Sequence, residues 1–162
     1  MTFVAKAALI ALSLIATAAS AQAVRVEKNM SLDLASQIAA ATVAACSASG
    51  YNVTVAVVDR AGSLRALQRA DNAGPHTVGA AQGKAYTSAS ARTTTVMLEN
   101  VQKNPGAATL VDIPGFLVLG GGVPVKVGNE VIGAVGVGGA PGGHLDEQCA
   151  NAGITKVAEL LK

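Results

Sequence analysis

The sequence predicts an α+β domain, an antiparallel sheet flanked by helices, and three observations carry that expectation. Apolar residues recur at helical spacing near both ends of the chain. Two β-branched regions lie between them, each broken by a short turn. Strands joined by so few residues pair antiparallel, whereas parallel neighbours need a crossover of a dozen residues or more.

The first helix starts after Ser31, a good N-cap, with Asp33 favouring the positive end of the helix dipole. Leu34, Ile38, Ala41 and Ala45 share one stripe, and Gly50 ends the pattern. VTVAVVD, residues 53–59, is apolar on both alternating faces, as in a strand covered on both sides. A turn over residues 60–63 returns the chain through SLRALQR, ending at Arg69. Residues 71–75, DNAGP, are a loop by composition. The alanine-rich HTVGAAQGKAYTSASAR then predicts a helix from Thr77 to Arg92, with His76 just ahead of it. A short helix is expected in TTTVMLENVQKN, and residues 106–115 read as irregular. FLVLGGGVPVKVGNEVIGAVGVGG reads as strand, glycine turn, strand, Gly128-Asn129 turn, strand. A closing helix from about Leu145 places Cys149, Gly153, Val157 and Leu160 on one face.

The first 23 residues have a lysine, an unbroken apolar run and small residues ending in Ala21-Gln22-Ala23, the pattern of a secretory signal peptide with its cleavage site. Its removal leaves residues 24–162, the usual size of one domain. Export implies a periplasmic or secreted protein with no membrane attachment after cleavage. Loss of Lys6 leaves eleven basic against ten acidic residues, too balanced for a nucleic-acid or anionic-membrane partner. Tyr51, Tyr86 and Phe116 are the aromatic residues that remain, too few for base-stacking platforms. In an oxidising compartment Cys46 and Cys149 can pair or remain two small buried hydrophobes; the residues leave both open.

The glycine runs test negatively for nucleotides. After Gly136 and Gly138 the third position of a dinucleotide fingerprint is Pro141, and the topology is wrong for it. GAAQGKA has three residues between its glycines where a phosphate loop needs four, and Ala85 follows Lys84 in place of Ser or Thr. Alternation in VIGAVGVGG puts Ile132, Ala134, Gly136 and Gly138 on one face and Val131, Gly133, Val135 and Val137 on the other. The nearly bare face admits close approach of a helix, or else of a ligand.

RADNAGPHTVGAAQGKAYTSA, the VTVAVVDRAGSLRAL hairpin and GGVPVKVGNEVIGAVGVGGAPGGHLDEQCANAG, taken together, resemble the GlcG/HbpS family of haem-binding or haem-degrading domains. The resemblance runs from about Met30 to the end of the chain. It implies a profilin-like α+β fold, assembly into homo-oligomers, and haem as the small-molecule ligand. It also implies that the first and last helices lie side by side, where Cys46 and Cys149 could meet. Within the family a related domain is fused to a corrinoid adenosyltransferase, so a non-catalytic module for a corrinoid or an organic acid is the alternative expectation.

A haem protein needs an axial ligand to iron and often cations for the propionates. His76 and His144 are the two histidines of the chain and the expected iron ligands, with Tyr51, Tyr86 and Met97 next. Lys84, eight residues after His76, is expected near the same helix face, with Arg69 or Arg92 as a second cation. Gly136 and Gly138 complete the expected haem-binding set. The few aromatics predict a shallow, aliphatic or subunit-shared site. No G-x-S-x-G elbow or H-E-x-x-H motif occurs, so the sequence names no nucleophile or zinc centre.

Overall fold

A computed structural model describes residues 24–162; the expected signal peptide lies outside the described residues. The elements are α1 (Leu32–Ala48), β1 (Thr54–Asp59), β2 (Leu64–Arg69), α2 (His76–Ala91), α3 (Thr95–Gln102), β3 (Gly122–Val127), β4 (Glu130–Gly138) and α4 (Gly143–Lys156). Two 3-10 helices, Pro105–Asp112 and Ala158–Leu161, complete them. The four strands form one antiparallel sheet in the order β2-β1-β4-β3. Two hairpins are thus laid side by side, with the most apolar strands, β1 and β4, at the centre.

Asp59 closes the first hairpin: its carboxylate accepts from the amides of Ala61 and Ser63, at 2.9 and 3.0 Å. The edge strand β3 carries Pro124, which has no amide to offer a further strand. On one face α1 and α4 pack over Val55, Val57, Val135 and Val137, joined by a Cys46–Cys149 disulfide. That is the pairing the resemblance implied. On the other face α2 lies across β1 and β4 through Ala81, Ala85 and Ala89 against Ala56 and Ala134. Here the bare stretch of β4 finds its use. A Cβ added at Gly136 would lie 2.0 Å from the Ala81 carbonyl oxygen and 2.5 Å from the Ala85 amide, so the glycine sets how closely α2 settles on the sheet.

Four expectations need correction. Strict alternation put Ile132 with Ala134, but β4 carries an extra residue there, between the pairs Val125–Gly133 and Lys126–Val131. This bulge turns Ile132 to the α1/α4 side, where its carbonyl receives the Met30 amide at 3.1 Å. Phe116–Leu119 is not a strand. In and just beyond that segment, Leu117, Gly120 and Gly122 donate to the side chains of Thr87, Glu99 and Thr95, so side chains supply what a ladder would. All but the first residue of the Pro105–Asp112 helix falls in the span read as irregular, and Asn104 starts that helix, its side chain accepting from Gly106. Finally, Leu160 leaves the buried face of Cys149, Gly153 and Val157, because α4 ends at Lys156 and the tighter helix after it rotates Leu160 outward.

Candidate functional site

The first turn of α2, the end of β4, the glycine run 138–143 and the first turn of α4 meet around a cavity of about 220 Å³. Local chemistry fixes each wall. The Thr77 hydroxyl donates to the Gly74 carbonyl at 2.6 Å and lies 2.7 Å from the Thr54 hydroxyl, which ties the start of α2 to β1 and sets His76 at the cavity rim. Beyond β4 the chain offers almost no side chains, so this wall is mostly backbone.

At the base lies a buried ion pair. Lys84 extends from the sheet-facing side of α2, and its Nζ donates to Asp146 Oδ2 at 2.7 Å and to the Val137 carbonyl at 2.9 Å. Each side chain is only 3% exposed. Asp146 Oδ1 accepts from the Ala140 amide at 3.0 Å, so the ion pair fastens α2, β4, α4 and the glycine run together. Burial holds the Asp146 carboxyl above its ordinary range, against the opposing pull of the Lys84 ammonium. Gly121, at φ +116°, passes directly over the pair. A Cβ there would stand 2.6 Å from Asp146 Cβ and 3.0 Å from Lys84 Nζ, so only glycine leaves room.

Of the residues expected to bind a ligand, His76, Lys84 and Gly138 come together on this cavity. His144 is exposed at the start of α4, its ring beside Gly142, and is not part of the lining. Arg69 is spent on the Ala73 carbonyl, which accepts from its Nε at 2.9 Å and from a terminal nitrogen as well, so it braces the loop before α2. Gly136 lies beneath α2, where a helix occupies the space a ligand would need. Lys84 is not the loose surface cation that propionates would find; Asp146 already neutralises it. Tyr51, Tyr86 and Met97 lie off the cavity, Tyr86 edge-on to Phe116 with ring centroids 6.3 Å apart.

Asp146 escaped sequence reasoning. An acid in the first turn of a helix has an ordinary explanation in the helix dipole, and its partner lies 62 positions away. The signal that would have raised it is Lys84 itself: a lysine on the buried stripe of an alanine-rich helix needs an anion.

The family model described as "Haem degrading protein HbpS-like" matches residues 30–155. The chain belongs to the HbpS-like family. Within its reach lies protein GlcG of Escherichia coli K12, 39% identical over 108 residues that span 67% of this chain and 80% of the relative. A crystal structure of a Streptomyces reticuli HbpS double mutant is 37% identical with a TM-score of 0.80, covering 94% of this chain and 98% of that one. A crystal structure of a PduOC:heme complex is 25% identical with a TM-score of 0.68, covering 75% and 89%. This HbpS-like domain therefore has a family described as haem-degrading and a structural relative crystallised with haem.

Proposed function

We propose that this chain is an exported haem-binding protein that aids haem breakdown or haem sensing, and that it works as a homo-oligomer. The observation that carries the reading is an exposed imidazole, His76, at the rim of a cavity walled by bare backbone. A porphyrin supplies four bonds to its iron, leaving the protein to add one or two axial ligands. Among the described residues no three His, Cys, Asp or Glu side chains converge as a site for a bare metal ion, so iron held in a porphyrin suits this chain better. A wall without side chains admits a flat ring closely. Haem, when bound, would bring the redox chemistry; His76 would ligate, His144 stands second, and the Lys84–Asp146 pair would hold the wall in shape.

The cavity is smaller than the roughly 300 Å³ at which closed ligand pockets begin, so the remaining surface of a macrocycle would be open or covered by a second copy. The same small volume favours, as the second reading, a compact organic acid. Export is supported by the leader pattern and by the disulfide, which suits an oxidising compartment. Among the described residues no helix is long and apolar enough to cross a membrane. Protein recovered from its host should begin near Gln22 or Val24; soluble protein with an intact Met1 would refute export.

Hemin titration tests the ligand. His76→Ala should change the absorption spectrum by removing an axial bond, whereas Lys84→Ala should weaken uptake without a new spectrum. Light scattering on the same samples should give a multiple of the protomer mass. If wild type binds no better than an unrelated protein, the haem reading falls and small organic acids become the ligands to titrate. Unchanged spectra in both His76→Ala and His144→Ala would remove histidine as the ligand.

A further inference from the structure

Away from that cavity, an open groove of about 660 Å³ runs beside the β3–β4 turn, between the N-terminal segment and the end of α2. Arg25, Lys28, Arg60 and Arg92 line it, brought in from three separate parts of the chain, with Asn129 and Glu130 on the turn. Arg60 is the fixed member. Its guanidinium meets Glu130 at 2.8 Å, Glu27 at 3.1 Å and the Lys28 carbonyl at 2.9 Å, so it pins the N-terminal segment to the turn. The Arg60 hydrogen bond also holds the Glu130 carboxyl below its ordinary range. Arg25 adds a contact to Glu27 at 2.6 Å. Four cations against these two carboxylates leave two positive charges in excess. Among the described residues neither Lys28 nor Arg92 takes part in a salt bridge.

Arg92 adds a second, independent observation. It caps α2 at φ 56°, and among the described residues it is the one non-glycine residue with a positive φ. Glycine or asparagine fills such a cap at less strain. A cation anywhere in the last turn would serve the helix dipole equally well, so the dipole does not explain an arginine at this position. The unfavourable backbone instead sets an exposed guanidinium at the groove, where its planar fork can take two oxygens of one anion.

We infer that this groove is a binding site for a small polyanion, a phosphate ester or a polycarboxylate, held chiefly by Arg92 and Lys28 and separate from the cavity at His76. Because the site is open to water, binding should be weak and should fade as salt is added. Backbone NMR titration of the oxidised protein at low ionic strength tests this, with pyrophosphate and citrate as probes and acetate as the monovalent control. The Gly128 and Asn129 amides should shift saturably with one or both polyanions, and whichever binds names the class. Arg92→Gly should weaken that binding by about tenfold, the loss of a charge-assisted contact discounted for solvent, while the melting temperature stays level or rises as the left-handed cap relaxes. Lys28→Gln should weaken it independently, and hemin uptake should be unchanged in both. Absence of a saturable shift, or wild-type affinity in both variants, would overturn the site. A parallel loss of hemin uptake would overturn its separateness.

Discussion

Reducing the buried Cys46–Cys149 bond should lower the unfolding midpoint of this chain by a wide margin. The bond closes a loop of 103 residues, which in the chain-entropy view constrains the unfolded chain by about 4 to 5 kcal/mol. For a domain of this size that corresponds to roughly 10 to 20 °C in Tm. It joins α1 to α4 one turn beyond Asp146, so it also secures the helix start on which the cavity depends. Urea unfolding with and without reductant should show a large fall in the midpoint. The Cys46→Ala/Cys149→Ala double variant should match the reduced protein and ignore reductant. Two titratable thiols in denatured, unreduced protein from its natural compartment would show that the bond does not form there.

Replacing Lys84 by methionine should be nearly as damaging, and the damage should depend on pH. The Asp146 carboxyl would keep its burial and the Ala140 amide but lose its counter-charge. Leaving one member of a buried pair alone costs about 3 to 5 kcal/mol when it is ionised. Burial already raises the folded-state pKa above the ordinary 3.8, and losing the ammonium raises it further. For a carboxyl raised in this way, the folded chain binds the proton more tightly than the unfolded chain. Its stabilising contribution is therefore complete below 3.8 and disappears as pH climbs through the folded value. Lys84→Met should lie closer to wild type near about pH 4 than near about pH 7.5 when urea midpoints are compared. The double variant Lys84→Met/Asp146→Leu should recover much of the loss at neutral pH, because no charge is left without a partner. A loss independent of pH would mean that packing of the lysine stem, and not the ion pair, is what α2 contributes here.

Local chemistry made most of the architecture legible. Ser31 does cap α1, its hydroxyl accepting from the Leu34 amide at 3.1 Å. The unbroken apolar character of β1 announced a central strand, and short turns announced antiparallel hairpins; these depend on neighbours a few residues apart. Phe116–Leu119 misled because an apolar run satisfies the strand pattern whether or not a ladder partner exists. Its neighbourhood is instead held by the side chains of Thr87, Glu99 and Thr95, which reach from two helices to accept from its backbone amides. Ile132 misled because a one-residue bulge leaves no mark in the alternation it interrupts.

At the candidate site the sequence by itself determined the participants: a histidine just ahead of one helix and a lysine on it, glycines at a strand end, and a helix starting just beyond them. Only the tertiary structure decided their roles. Lys84 faces the sheet because α2 packs against β4 at Gly136, and the resulting loss of water is what makes Asp146 its obligatory partner. His76 faces outward because Thr54 and Thr77 fix the first turn of α2 at the cavity mouth. Periodicity reports which face of an element is apolar. Which polar groups must share a dry interior is set by contacts 23 and 62 residues apart along the chain, and those exist only once the layers have closed.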